Sequence, residues 1–248
     1  MKKLFGLVVL IGAAALGGTF ACTEDPPAFP GEEEEEDAGK GTTKDSGFDS
    51  KPPEDSGLGL GFLPDESFSG FDGVHTFKAP IAVYDSDDDL QVTADPSALE
   101  LKPVKLKNPV GPDGIEDKGK YYMVTVKKAG THTITATSRG KTAKVTMNVA
   151  TYDPQQWTAG ETRYMNNGQG TDPPCTNCHV NGDAIDHSPA ALSSVSDEKV
   201  GSVITSGIST AGFPIMIDNK PGHQWQVTED ERKALVVYLR GLEPKGFQ

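Results

Sequence analysis

The spacing of apolar residues changes period once along this chain, and that change constrains its architecture more than any other feature. Between Ser67 and Ala150, apolar and polar residues alternate in short runs separated by turn residues. The runs are Gly73–Phe77, Ile81–Tyr84, Leu90–Thr93, Ala98–Leu101, Tyr121–Val126, His132–Thr137 and Ala143–Val149. A period of two places alternate side chains on one face of a strand, and short strands at this spacing predict an antiparallel β-sandwich. Lys128-Ala129-Gly130 and Ser138-Arg139-Gly140 fall where turns are needed.

After Tyr152 the period becomes helical. Asp153-Pro154 supplies an N-cap and a first helical residue, opening a helix that runs through Tyr164 toward Gly168. A second helix is expected over Ser196–Thr205. The last is marked by the capping box Thr228-Glu229-Asp230-Glu231 and by a stripe of Leu235, Tyr238, Leu239 and Leu242.

Neither pattern extends toward the N-terminus. Lys2 and Lys3 followed by the apolar stretch Leu4–Leu16 read as an export signal over residues 1–22, too short to span a bilayer as a helix. Residues 23–65 hold 13 acids and 3 bases, including the run Glu32–Glu36. With almost no apolar cluster, this segment is expected to be a disordered, self-repelling acidic linker. Residues 66–150 balance at 11 against 11, and residues 151–248 hold 12 acids and 7 bases. A net charge of -13 without a basic face argues against nucleic acid as a partner.

Three cysteines in an exported chain raise the question of a disulfide, but Cys22 closes the signal while Cys175 and Cys178 share one motif. Cys175-Thr176-Asn177-Cys178-His179 has the form C-x-x-C-H. Two thiols so spaced can add across the two vinyl groups of a haem, and the adjacent His then lies under the iron. Zinc would need further ligands, and no other Cys lies in this half. A dithiol redox pair would want a βαβ setting, which the pattern lacks. The expectation is one covalently bound haem c, with Cys175 and Cys178 as attachment points and His179 as proximal axial ligand.

Three resemblances extend this reading. Thr19-Phe20-Ala21-Cys22 resembles the lipobox of bacterial lipoproteins, which implies a lipid on Cys22 and a membrane anchor, although small-x-small also suits the ordinary signal peptidase. It further implies a lipoprotein facing the periplasm or cell surface, with Thr23 favouring the outer membrane where there is one. Val124–Thr137 resembles the closing hairpins of bacterial immunoglobulin-like domains, which implies an all-β immunoglobulin-like sandwich over 66–150. Residues 153–248 resemble a class I cytochrome c domain on Gly160 and Tyr164, on C-x-x-C-H, and on Leu235-Val236-Val237-Tyr238-Leu239-Arg240-Gly241-Leu242. That implies an all-α cytochrome c domain whose first and last helices pack together.

The same resemblance implies a distal Met shortly before the last helix. Met216 precedes Thr228 by 12 residues and His223 precedes it by five. Met216, in the Pro-containing loop Gly212–Met216, is the first candidate and His223 the alternative. A thioether ligand raises the potential and a second imidazole lowers it.

The remaining candidates have plainer readings. Met123 and Met165 suit packing, Trp157 and Trp225 suit core or pocket walls, and His187 suits a surface or hydrogen-bonding role. Asp85–Asp89 lacks the Gly and distal Glu of a calcium loop, so an acidic solvated turn is expected. No Ser-His-Asp set or spaced carboxylate pair is present. The functional expectation is a monohaem, membrane-anchored, extracytoplasmic one-electron carrier meeting a redox partner protein. The alternatives are a haem domain of an oxidoreductase or peroxidase with an open sixth site, or a redox or gas-sensing surface-binding module.

Overall fold

The computed structural model describes residues 59–166, 173–179, 186–217, 220–221 and 223–248. The signal segment, Cys22 and most of the acidic linker lie outside the described residues.

Among the described residues, eight strands form two four-stranded sheets. One has the order β1 (Gly61–Leu63), β3 (Lys78–Tyr84), β6 (Lys120–Val126), β5 (Leu99–Val104). The other has the order β2 (Glu66–Phe71), β8 (Lys141–Thr151), β7 (Gly130–Ser138), β4 (Gln91–Thr93). Alternation decides which side chains face inward. In β7 these are Ile134 and Ala136, and in β8 they are Val145, Met147 and Val149, with Ile134 opposite Val145. Ile81, Leu99 and Val124 close the core from the first sheet, with Phe77 just before β3. Burying each large apolar side chain here contributes about 1.5–3 kcal/mol.

Strand β1 lies in the last part of the stretch read as linker and pairs with β3. The chain then changes sheets between Leu63 and Glu66. Strand β2 runs parallel to β8, with Glu66 opposite Thr146 and Phe71 opposite Thr151. The run Gly73–Phe77, expected as a strand, is instead a turn that precedes β3. The Asp72 carboxylate accepts from the backbone N–H groups of Val74 and His75 at 2.9 and 2.7 Å, which holds the chain in that turn.

The helices follow their caps. Helix α1 (Pro154–Met165) starts with a capping box between Asp153 and Gln156, and α4 (Asp197–Ser206) runs from Ser196 to a left-handed Gly207. Helix α5 (Glu229–Gly241) starts at the Thr228–Glu231 box. Between them lie the short α2 (Thr176–His179) and α3 (Pro189–Leu192), and a two-stranded ladder of β9 (Met216–Ile217) and β10 (Lys220–Pro221). Helices α1 and α5 cross closely because Gly160 has no side chain: a Cβ there would sit 2.0 Å from the Ala234 carbonyl oxygen.

These helices are seated on the sandwich. Val237 of α5 belongs to the apolar cluster of the β-sheets, and Trp157 of α1 packs against that cluster and against the helical one of Tyr164, Val200, Leu235 and Leu239. The Phe68 N–H of β2 donates to the Ser193 carbonyl at 2.7 Å. Arg240, 1% exposed, donates to Asp197 at 2.8 Å, to the Leu192 carbonyl at 2.6 Å and to the Val195 carbonyl. The Tyr152 hydroxyl, at the end of the sheet, donates to the same Asp197 at 2.6 Å.

This architecture corrects two expectations. The immunoglobulin-like antiparallel sandwich over 66–150 is overturned by the parallel β2–β8 pair and by the extra strand β1. The physical reason is that Ser67, Ser69 and Gly70 fill buried positions of β2, so this strand carries no apolar alternation. The all-α class I cytochrome c domain over 153–248 is overturned as well. That stretch contains β9 and β10, its apolar cluster runs into that of the sheets through Trp157, and among the described residues no group of three or more His, Cys, Asp or Glu is placed to hold a metal ion. The chain is a β-rich sandwich of two sheets carrying a few helices.

Candidate functional site

The site is built around α2. Asn177 N–H donates to the Pro174 carbonyl at 3.2 Å, and Cys178 and His179 N–H groups both donate to the Cys175 carbonyl, at 3.3 and 3.1 Å. This single helical turn fixes two half-buried, unbridged thiols and places His179 directly after them. Cys175 packs against the helical apolar cluster. Burial pushes its thiol pKa up, only partly opposed by the Arg163 charge. A nucleophilic redox thiol needs the opposite shift.

Around His179 the structure gathers two more histidines. The His187 ring stacks on it with centroids 3.4 Å apart and planes 23° from parallel. The His223 ring stands nearly perpendicular at 6.2 Å. Tyr164 closes one side, 6.0 Å from His187, and Trp225 another, 5.5 Å from His223. Burial, reinforced by the neighbouring His179 and His223, pushes the His187 pKa down to about 3, and burial also lowers that of His223. Both rings are therefore neutral near pH 7. Their Nδ1 atoms are buried without a hydrogen-bond partner.

Of the residues singled out in the sequence, Cys175, Cys178, His179 and His223 come together. Met216 lies in β9 and is 52% exposed. His187, read as a peripheral residue, is part of the cluster. The local signal for its placement is Asp186-His187-Ser188-Pro189: the Ser188 hydroxyl caps α3 and donates to Asp186 at 2.5 Å, which fixes the backbone at His187. Trp157 stacks on His75, with centroids 4.1 Å apart, and packs against both apolar clusters.

The donor set fits a haem better than a protein-only metal cage. A zinc site asks the chain for about four converging ligands, and among the described residues no group of three or more His, Cys, Asp or Glu is so placed, whereas a haem brings its own ring nitrogens and asks for one or two axial groups and two thiols. Two reduced cysteines, an adjacent His and orphaned buried imidazole nitrogens meet the second demand.

The acidic turn Asp85–Asp89 is occupied by its own neighbours. Asp89 accepts from the Ser138 hydroxyl at 2.5 Å and the Arg139 N–H at 2.8 Å, Arg139 pairs with Asp87 at 3.4 Å, and its guanidinium also donates to the Asp85 carbonyl. These contacts staple the turn to the β7–β8 hairpin.

No protein-family model matches this chain, and no curated protein matches it. Among solved structures it is similar to parts of the surface layer protein SbsC. Domains 1–6 of that protein align over 38% of this chain and 13% of theirs at 24% identity, with a TM-score of 0.26. Domains 4–9 align over 38% and 14% at 23% identity, with a TM-score of 0.26. This chain thus spans a small fraction of those proteins, and scores this low do not establish a shared fold. Among the described residues no helix is long and apolar enough to cross a membrane.

Proposed function

We propose that this chain is an exported one-electron carrier holding a single haem c through thioethers from Cys175 and Cys178, with His179 as an axial ligand. The observation that carries the reading is the turn of α2, which presents two unbridged thiols and His179 beside two histidines whose buried Nδ1 atoms lack partners. When bound, the haem supplies a one-electron ferric/ferrous couple.

The chain's own residues orient and shield that group. The α2 turn sets the separation of the two sulfurs. Tyr164, Leu235 and Leu239 form the apolar wall behind Cys175, which lowers the local dielectric and excludes water. No substrate is transformed, and electrons pass to and from a redox partner protein. The export signal at the N-terminus supports work outside the cytoplasm, and a lipid on Cys22 would anchor the chain there, with the acidic segment holding the folded part off the membrane.

The test is a potentiometric titration of the full-length, haem-loaded protein followed by its visible spectrum. A reversible one-electron wave, with a reduced form that does not take up carbon monoxide, supports the carrier. Ready carbon monoxide binding together with turnover of peroxide would replace it with the peroxidase reading.

A further inference from the structure

We propose that His223, and not Met216, is the second axial ligand in this site, so that the iron is held between two imidazoles; this rests on the haem reading above. The first ground is ring geometry. An imidazole's lone pair lies in its ring plane and must point at the metal. The rings of His187 and His179 are stacked face to face at 3.4 Å, so their lone pairs run side by side and cannot converge on an atom between them. His223 stands 6.2 Å from His179 with its plane turned by 86°, so these two rings are not stacked and their lone pairs are not forced to run side by side.

The second ground is how firmly the chain holds His223. Trp225 N–H donates to the Ile204 carbonyl at 3.1 Å, and the Gln224 side-chain amide donates to the Ser206 carbonyl at 3.1 Å. Gly207, in the left-handed conformation at φ 66°, lies so close that a Cβ there would sit 2.6 Å from the His223 carbonyl oxygen. The C-terminal end of α4 thus holds the backbone at and just after His223. The Trp225 ring stands against the imidazole edge-on, and the Nδ1 atom is buried with no partner in the protein. A buried, unpaired ring nitrogen costs stability unless something accepts or ligates it.

The third ground is what Met216 lacks. A thioether that ligates iron has to be kept from water, whereas Met216 is 52% exposed. Ligation by His223 places the centre on the low-potential side of what a thioether would give.

The experiment uses the full-length protein produced with haem attached, as wild type and as Met216→Leu, His187→Phe and His223→Ala. The expected wild-type oxidised spectrum is low-spin without a far-red sulfur-to-iron charge-transfer band. Met216→Leu and His187→Phe keep that spectrum. His223→Ala loses the low-spin state, binds carbon monoxide when reduced, and regains a six-coordinate spectrum with added imidazole. This rescue separates loss of a ligand from loss of the fold. A charge-transfer band that disappears in Met216→Leu overturns the proposal, as does a His223→Ala spectrum identical to wild type or the same losses in His187→Phe. A chain that carries no covalent haem, seen by mass before any variant is compared, overturns the haem reading itself and this inference with it.

Discussion

The imidazole of His75 lies flat on the indole of Trp157, with centroids 4.1 Å apart and planes 7° from parallel, and this stack joins the sandwich to the first helix. Trp157 also meets Phe77 of the sheet core and Tyr238 of α5 edge-on, at 5.8 and 5.5 Å. One side chain therefore couples strands, α1 and α5.

Trp157→Ala should cost about 3 kcal/mol, the low end for removing a large aromatic, because the indole is half-buried. Chemical denaturation followed by far-ultraviolet circular dichroism should also change from one transition to two, the helices melting before the sheets. A single transition at unchanged midpoint would show that the two parts are joined elsewhere.

Gly160→Ala should destabilise the chain by about 1–3 kcal/mol, since the new methyl would lie 2.0 Å from the Ala234 carbonyl and force α1 away from α5. Thermal unfolding measures this. Ala is otherwise the better helix former, so a raised Tm would mean that the helices are not in close contact.

Arg240→Leu should cost about 3 kcal/mol, because it leaves Asp197 with Tyr152 as its remaining side-chain donor, removes one of two donors from the Leu192 carbonyl and takes the Arg240 donor from the Val195 carbonyl. A double-mutant cycle with Asp197→Asn should show strong coupling. Additive losses would contradict a shared network.

Much of this arrangement is legible in the sequence at the level of elements. The alternation through Ile134 and Ala136 reads as a strand and forms β7, and Asp153-Pro154 and Thr228–Glu231 read as caps and start α1 and α5. The placement of elements is less legible. Strand β2 is hidden because Ser67, Ser69 and Gly70 occupy its buried positions, and its parallel pairing depends on a partner some 80 residues away. The unbroken burial of Ala79–Val83 in β3 comes from α3 lying against that strand, a contact no local pattern announces. At the site, the C-x-x-C-H spacing singles out Cys175, Cys178 and His179, whereas the turn of α2 that holds them and the choice among Met216, His187 and His223 depend on how the chain between α1 and α5 folds back.

Acid should loosen the turn before β3. Burial of Asp72 raises its pKa, but the 2.6 Å bond from His75 and the N–H groups of Val74 and His75 outweigh it, leaving the folded value below the usual 3.8. A depressed carboxylate contributes stability above its unfolded pKa and loses it as pH falls toward the folded one. Asp72→Asn should therefore lower Tm at pH 6 and flatten the fall of Tm between about pH 4 and pH 2. An unchanged slope there would remove Asp72 from the acid response.

The most direct test of the central claim is the intact mass, under denaturing conditions, of the chain produced in cells that attach haem c. The account predicts one population heavier than the mature polypeptide by a single haem, together with loss of that increment in the Cys175→Ala, Cys178→Ala double variant. A wild-type mass without haem under the same conditions would contradict it.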